Sequence, residues 1–480
     1  MTAWKLSVLC ASEGILRYTI LRVASCFGMY PVQQSDIDSQ CCEFLSLLFP
    51  GGESHGAALP FLVRSTNALL MHRLSLSSFL NYNSTFPSAQ SLWRLLLRIE
   101  KARHLLLAKT CAPQLTIMSD TRQMQHVSAS DARTFITNVL IGNGVPKDNA
   151  LLVARYLVEA DLRGVDTHGM NRIPSYMARI RAGVLDARAS PTLQQVTPVV
   201  AQVDGKNAFG FLTGHTGMSA AIKMADKFGI GMVSCKHSNH FGMSAWLVQQ
   251  ALDAGMMSLV FTNSSPALPV WGGKSKLMGV SPIACGAPAG KHGRPFILDM
   301  APSVAARGKI YKALRRGDKI PLDWALNTSG KRTDDPAEAL EGVMLPMGGP
   351  KGSALAIMMD VFSGVLSGSA FAGQVTNPYD PSKAADVGHL LLAIKPDLFM
   401  SIEAFGERMD YLYAQVVGSD KMDGIERIYF PGEIEDLQKE RRLKEGIPLV
   451  PAEVEALNTE AARVGCAPIV TTPPPTKAHL

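Results

Sequence analysis

No window of this chain reaches the roughly 18 uninterrupted apolar residues that a membrane-spanning helix needs. No run of five or more basic residues occurs, and the formal net charge of +6 is mild for 480 residues. Neither a membrane nor a nucleic acid is therefore an expected partner. The eight cysteines show no metal-ligand spacing; Cys41 and Cys42 adjoin and the rest are scattered. That pattern reads as free thiols in a reducing, cytoplasmic setting, with no disulfide framework and no metal centre. The first 30 residues hold an apolar stretch, but Lys5, Glu13, Arg17 and Arg22 interrupt it. It is a poor secretory signal; the scarcity of acids there leaves a mitochondrial presequence as the alternative to a cytoplasmic location.

Three enzyme signatures are also missing. No G-x-G-x-x-G joins a strand to a helix: Gly142-Asn143-Gly144 lies between two helical stretches and lacks the third glycine. A Rossmann nucleotide site is thereby disfavoured. G-x-S-x-G is absent and Cys285-Gly286 has no supporting signature, so serine or cysteine hydrolysis is a poor reading. Lys351 is not followed by Ser or Thr, which excludes a Walker A loop.

What is present is the composition of a large globular enzyme: 47% hydrophobic and 18% charged residues, with 41 glycines and 29 prolines. The length suggests two or three domains. Residues 1–117 hold five of the eight cysteines and no motif; they read as a poorly ordered extension without a function of its own. From Met118 the pattern becomes regular. Ser128 or Ser130 can cap a helix starting near Asp131, and Pro146 suits the first turn of a second helix that ends near Gly164. Residues 199–203, 231–235, 256–262 and 296–299 read as strands. Residues 215–228, 242–254, 351–368, 398–415 and 433–444 read as helices. The tail from 468 is expected to be disordered.

Several clusters have chemical meaning. Asp161–Arg172 packs Asp166, His168 and Arg172 into a turn just after a helix. A 2-oxo acid would need such a set: a forked guanidinium for the carboxylate, a proton donor titrating near neutrality, and a carboxylate such as Asp166 to orient that donor. The bland alternative is a polar helix end with a surface turn. Ser238–Gly242 places His240 at the carboxyl end of a strand, where α/β sites are often built. His237 and His240 form H-x-x-H, but no carboxylate or thiol completes a metal set. Asn263–Pro266, with Ser264, offers backbone amides and small hydroxyls. Gly349 and Pro350 open a helix, whose N-terminus favours anions. Pro431-Gly432-Glu433 alone is a weak turn signal.

Taken as an ordered set, these segments resemble the malate/L-lactate dehydrogenase family of the second type. The matching residues are Asp161–Arg172, Val203–Gly205, Ser238–Gly242, Asn263–Pro266, Leu298–Ala301, Gly308–Ile310, Asp335-Pro336, Leu345–Gly352 and Pro431–Glu433, in order across 118–467. The resemblance implies an α/β chain with a mixed, largely antiparallel sheet. It implies a non-Rossmann nicotinamide-binding fold, with a helical part from 118–190 plus 390–467 and a cofactor and substrate part from 191–389. It further implies a homodimer that passes a hydride between NAD or NADP and a small 2-hydroxy or 2-oxo acid; a cyclic imino acid is the alternative substrate, and a catalytically impaired binding protein the alternative role. His168 is matched to a proton donor in some members and His240 to a proton acceptor in others, with His168 ranked slightly first. Arg172 is matched to the carboxylate holder. Ser264, Leu298, Asp299, Met300, Gly349, Pro350, Pro431, Gly432 and Glu433 are matched to cofactor contacts. Two stretches depart from the family pattern: Gly279-Val280-Ser281-Pro282 where Gly-Thr-Asn-Pro is usual, and Met300-Ala301-Pro302-Ser303 where Met-Ala-Thr-Ser is usual.

Overall fold

The computed structural model describes residues 124–474. The expected extension over 1–117 lies outside the described residues. Strand β1 (Gln125–Val127) leads into α1 (Ala129–Gly142) and α2 (Lys147–Leu162). Ser128 caps α1, its hydroxyl accepting from Asp131 N at 3.0 Å, and Pro146 precedes α2. Short 3-10 turns at Asp166–His168 and Met170–Arg172 carry the chain into α3 (Ile173–Arg181).

The central part runs β2 (Thr192–Thr197), β3 (Val200–Asp204), α4 (Gly210–Phe228), β4 (Ile230–Ser238), α5 (Ala245–Asp253) and β5 (Met257–Thr262). There follow β6 (Pro266–Leu268), β7 (Met278–Gly279), β8 (Ile283–Ala287), β9 (Phe296–Met300), α6 (Arg307–Arg316), β10 (Ala325–Leu326), α7 (Pro336–Glu341), β11 (Val343–Met344) and α8 (Pro350–Asp360). A π-helical turn at Val361–Val365 extends α8. The chain finishes with β12 (Val387–Ile394), α9 (Ile402–Val417), α10 (Glu433–Glu445), β13 (Ile447–Leu449) and α11 (Pro451–Arg463).

Seven strands form one mixed sheet in the order β2-β3-β4-β12-β5-β8-β9. Among its neighbours only β3 and β4 run parallel; the other pairs are antiparallel. This is the largely antiparallel α/β sheet expected, without a βαβ nucleotide-binding repeat. One continuous core joins α1, α2, α3 and α11 to the sheet and to α4 and α5. A second, smaller core, built from Leu268, Met278, Ile310, Ile320, Ala325, Ala339, Met344 and Ala356, holds the lobe between β6 and α8.

Two boundaries need correction. The division at 390 falls inside β12, the central strand of the sheet, so the helical part resumes only after Ile394. The expected disordered tail is ordered at its start: Ile469 is buried, and His126 and Thr472 exchange backbone hydrogen bonds of 2.8 and 2.7 Å.

Candidate active site

The Asp166–Arg172 turn is held from below by a buried acid. Asp161, at the end of α2, accepts from Met170 N at 2.8 Å. A Cβ on Gly169 would lie 1.9 Å from the Asp161 carboxylate, so only glycine fits there. Burial pushes the Asp161 carboxyl well above its usual range, and the nearby Asp166 adds to that. A neutral acid under the turn costs less than a buried charge would.

Above it, the imidazoles of His168 and His240 stack with ring centres 5.4 Å apart. His168 arrives from the 3-10 turn, and His240 from the carboxyl end of β4. Tyr176, buried on α3, brings its hydroxyl 2.7 Å from His240 Nδ1. Thr167 Oγ1 lies 2.8 Å from His168 Nδ1. Gly242 N also donates to His240 Nδ1 at 3.3 Å. Each ring thus has Nδ1 engaged, and among the described residues neither Nε2 has a hydrogen-bond partner. Burial, and then the Arg172 guanidinium, push His168 down to about 3. The same two causes, followed by His168 and His389, push His240 well below its ordinary value. Both rings are neutral at pH 7 in the free protein.

Arg172 lies beside them, buried at 9% exposure. Its Nε donates to Thr167 O at 2.6 Å, and its Nη1 is buried without a partner. A guanidinium nitrogen so placed favours an incoming carboxylate strongly, because an unpaired buried donor costs more than a satisfied one gains.

Asp166 does not take the role expected of it. Its carboxylate is paired with Arg442 of α10, and Thr167, not Asp166, meets His168. The acid therefore ties the His168 turn to α10 without touching an imidazole. H-x-x-H splits likewise: His237 meets Asp204 at 3.1 Å on the surface, away from His240.

Several of the candidate cofactor segments touch one another. Ile297 N donates to Pro431 O at 3.1 Å. Gly432 adopts φ +91° with Ile297 where its Cβ would be, which seats the 431–433 turn directly against β9. Leu298, Asp299 and Met300 continue β9 at the sheet edge, and Asp299 Oδ2 accepts from Ala245 N at the start of α5. Beyond β9, Met347 N donates to Pro302 O at 2.8 Å, which brings in the loop that carries Gly349 and Pro350. Gly308, at the start of α6, comes within reach of the Thr167 methyl. The Glu433 carboxylate is 1% exposed and is engaged by Arg427, Arg294 and Phe430 N, which holds the turn together.

Residues 127–458 match the malate/L-lactate dehydrogenase family. This chain belongs to that family. It is an oxidoreductase related to dehydrogenases of hydroxy acids. An L-sulfolactate dehydrogenase from Methanocaldococcus jannaschii is 37% identical over 317 residues, covering 66% of this chain and 91% of the relative. A solved sulfolactate dehydrogenase structure from that organism superposes with a TM-score of 0.68 at 34% identity, covering 71% of this chain and 98% of the other. A ureidoglycolate dehydrogenase (NAD(+)) from Escherichia coli is 33% identical over 325 residues, covering 68% and 92%. A Δ1-piperideine-2-carboxylate reductase structure from Pseudomonas syringae gives a TM-score of 0.63 at 27% identity, covering 70% and 100%.

A nicotinamide dinucleotide, the cofactor type of this family, fits the residues present. Ser264 Oγ and Ser281 Oγ are buried hydroxyls without partners, and a Cβ on Gly279 would collide with Ser264. Those two hydroxyls suit phosphate or carboxamide groups; the amides at the start of α8 are already engaged by backbone carbonyls. Asn263, by contrast, is fully used: Nδ2 donates to Asp360 and to Ala370 O, and Oδ1 accepts from Gly388 N. Pro302, a departure from the family pattern, contributes its carbonyl to the 347 loop.

Sequence reasoning missed Tyr176, Thr167 and Arg442. Tyr176 could have been found: it lies four residues after Arg172 on a helix, and so on the same face. Arg442 carried no local signal, since its partner is 276 residues away.

Proposed function

We propose that this protein is a dehydrogenase that interconverts a small 2-hydroxy acid and the corresponding 2-oxo acid, using NAD or NADP. The observation that carries this reading is the buried, unpartnered Nη1 of Arg172 beside the stacked His168–His240 pair. Arg172 holds the substrate carboxylate. An imidazole Nε2 then exchanges a proton with the oxygen on C2: neutral, it accepts from the hydroxyl in oxidation; protonated, it donates to the carbonyl in reduction. His168 Nδ1 meets only the Thr167 hydroxyl, so its proton can sit there and leave Nε2 to accept, whereas the Gly242 N–H donates to His240 Nδ1 and disfavours that tautomer. This favours His168 for the transfer and His240 as its neighbour. A bound nicotinamide supplies or takes the hydride. The arriving carboxylate offsets the charge of Arg172 and so raises the pKa of both rings at the moment when a proton is needed.

The same site suits a cyclic imino acid, whose C=N also needs a carboxylate anchor and a proton; the likeness to the Pseudomonas syringae reductase favours this as the second reading. The reading includes a homodimer. Ile357, Val361, Phe362, Val365 and Leu366 lie exposed along α8 and its π-helical turn, a row that a second copy would cover.

The test is a screen of pyruvate, oxaloacetate, 3-sulfopyruvate and Δ1-piperideine-2-carboxylate, each with NADH and NADPH. The expected result is reduction of at least one 2-oxo acid with the highest kcat/KM. Preference for the imine instead supports the second reading. If neither cofactor binds in a fluorescence titration, the chain is a binding protein and the proposal fails.

A further inference from the structure

Helix α3 carries more than Tyr176. Arg172, Tyr176 and Arg179 recur at intervals of four and three residues, so they share one helical face. Arg172 sits at its first turn and Tyr176 meets His240. Arg179, one turn on, is buried at 2% exposure, and the Asp380 carboxylate acts on it through its charge without a salt bridge among the described residues. Its guanidinium instead donates to three backbone carbonyls of one loop: Asn377 O at 3.4 Å, Asp380 O, and Lys383 O at 3.0 Å. Within that loop Asn377 Oδ1 accepts from Tyr379 N at 2.9 Å, and Asp380 Oδ1 accepts from Ser382 N at 2.9 Å. The loop is thus a built strap, clamped by a buried cation from the helix that begins at the substrate arginine.

The strap presents Tyr379. The Arg172 guanidinium carbon lies over its ring, 4.8 Å from the centroid. Tyr379 is otherwise 64% exposed, so its burial against a core does not explain its place. Its phenol is also near enough to Tyr176 to influence it electrostatically. A guanidinium held over an aromatic face is restrained in position while its nitrogens stay available for hydrogen bonds.

We infer that Tyr379 is a positioning residue for the substrate carboxylate, and that Arg179 acts through the 377–383 strap to hold it over Arg172. This rests on the reading of Arg172 as the carboxylate anchor. The strap sets the angle at which Arg172 meets the carboxylate and covers that end of the site. The chemistry at C2 stays with the histidines.

The experiment compares wild type with Tyr379→Phe, Tyr379→Ala, Arg179→Met and Arg172→Ala, using whichever screened acid the wild type reduces. Reaction of Arg172 with phenylglyoxal, read by mass spectrometry, is followed in parallel and needs no substrate. Tyr379→Ala should raise KM about three- to tenfold with kcat within about twofold, as expected for loss of a cation–π contact. Tyr379→Phe, which keeps the ring face, should restore the wild-type KM. Arg179→Met should follow Tyr379→Ala in KM with cofactor affinity unchanged. Labelling of Arg172 should quicken in Tyr379→Ala and Arg179→Met only. The inference is overturned if Tyr379→Ala keeps both the wild-type KM and the wild-type labelling rate while Arg172→Ala loses substrate. A wild-type KM in Arg172→Ala overturns the carboxylate reading itself, and this inference with it.

Discussion

At the scale of single residues, the protonation of the two histidines has a kinetic consequence. Burial and the Arg172 charge hold His168 at about 3 and His240 well below its ordinary value, so the free enzyme carries a ready base rather than a ready acid. Oxidation of the hydroxy acid needs that neutral imidazole. Its kcat/KM should therefore stay level as pH falls from 8 through the usual histidine value of about 6.5, and drop only at lower pH. Reduction needs the protonated ring, so its kcat/KM should fall with rising pH across the same range. Initial rates in both directions between pH 5 and 9 check this; an acid limb for oxidation centred near 6.5 would contradict it. The sequence singled out His168, His240 and Arg172 through the ordered set of family-like segments rather than through any one turn, and the fold brings the three side chains together. The roles of their neighbours were not legible in the sequence. Asp166 reads in the sequence as the acid that orients a histidine, but the fold turns it toward Arg442; of the arginines around Glu433, Arg294 comes from a distant segment and carried no local signal.

At the scale of elements, the Asp166–Arg172 turn depends on α10. Arg442 is buried, and its guanidinium donates both to Asp161 O and to the Asp166 carboxylate. Asp166→Ala leaves that guanidinium short of a partner. Because Asp166 itself is half-exposed, the expected loss is modest, about 1–2 kcal/mol of stability. The His168 turn should loosen too, lowering kcat/KM several-fold with cofactor affinity unchanged. Urea unfolding and steady-state kinetics on the one variant measure both; an unaltered melt would remove the tie. Helices such as α1 and α10 were readable from caps and periodicity. Strand β12, the centre of the sheet, was not: Val387-Gly388-His389-Leu390-Leu391-Leu392-Ala393-Ile394 is a short apolar run whose burial on both faces erases the alternation that marks a strand. The clamp of Arg179 on the 377–383 loop was equally hidden, since only the fold brings those segments together.

At the scale of the whole molecule, one core joins the helices to the sheet, and among the described residues no helix is long and apolar enough to cross a membrane. The ordered motifs over 118–467 fall within the family match of 127–458 almost throughout. The lobe between β6 and α8 was the least legible part, because its strands are two or three residues long or hidden among prolines and glycines. Helix α9 has no buried residue, although Ile402, Tyr411 and Leu412 are exposed on it and Phe399 just before it is 92% exposed. Such a surface fits a second copy of the chain. Sedimentation equilibrium should give twice the mass of the chain, and Phe362→Glu or Leu412→Glu should shift it toward the monomer; a wild-type monomer at micromolar concentration would contradict the homodimer.

The central claim is that Arg172 anchors the carboxylate of a substrate worked on by the His168–His240 pair. The most direct measurement is kcat/KM of Arg172→Ala against wild type on the preferred 2-oxo acid. Loss of a forked, charge-assisted contact predicts a fall of about a hundred- to a thousandfold, with nicotinamide affinity unchanged. Wild-type kcat/KM in that variant would contradict the account.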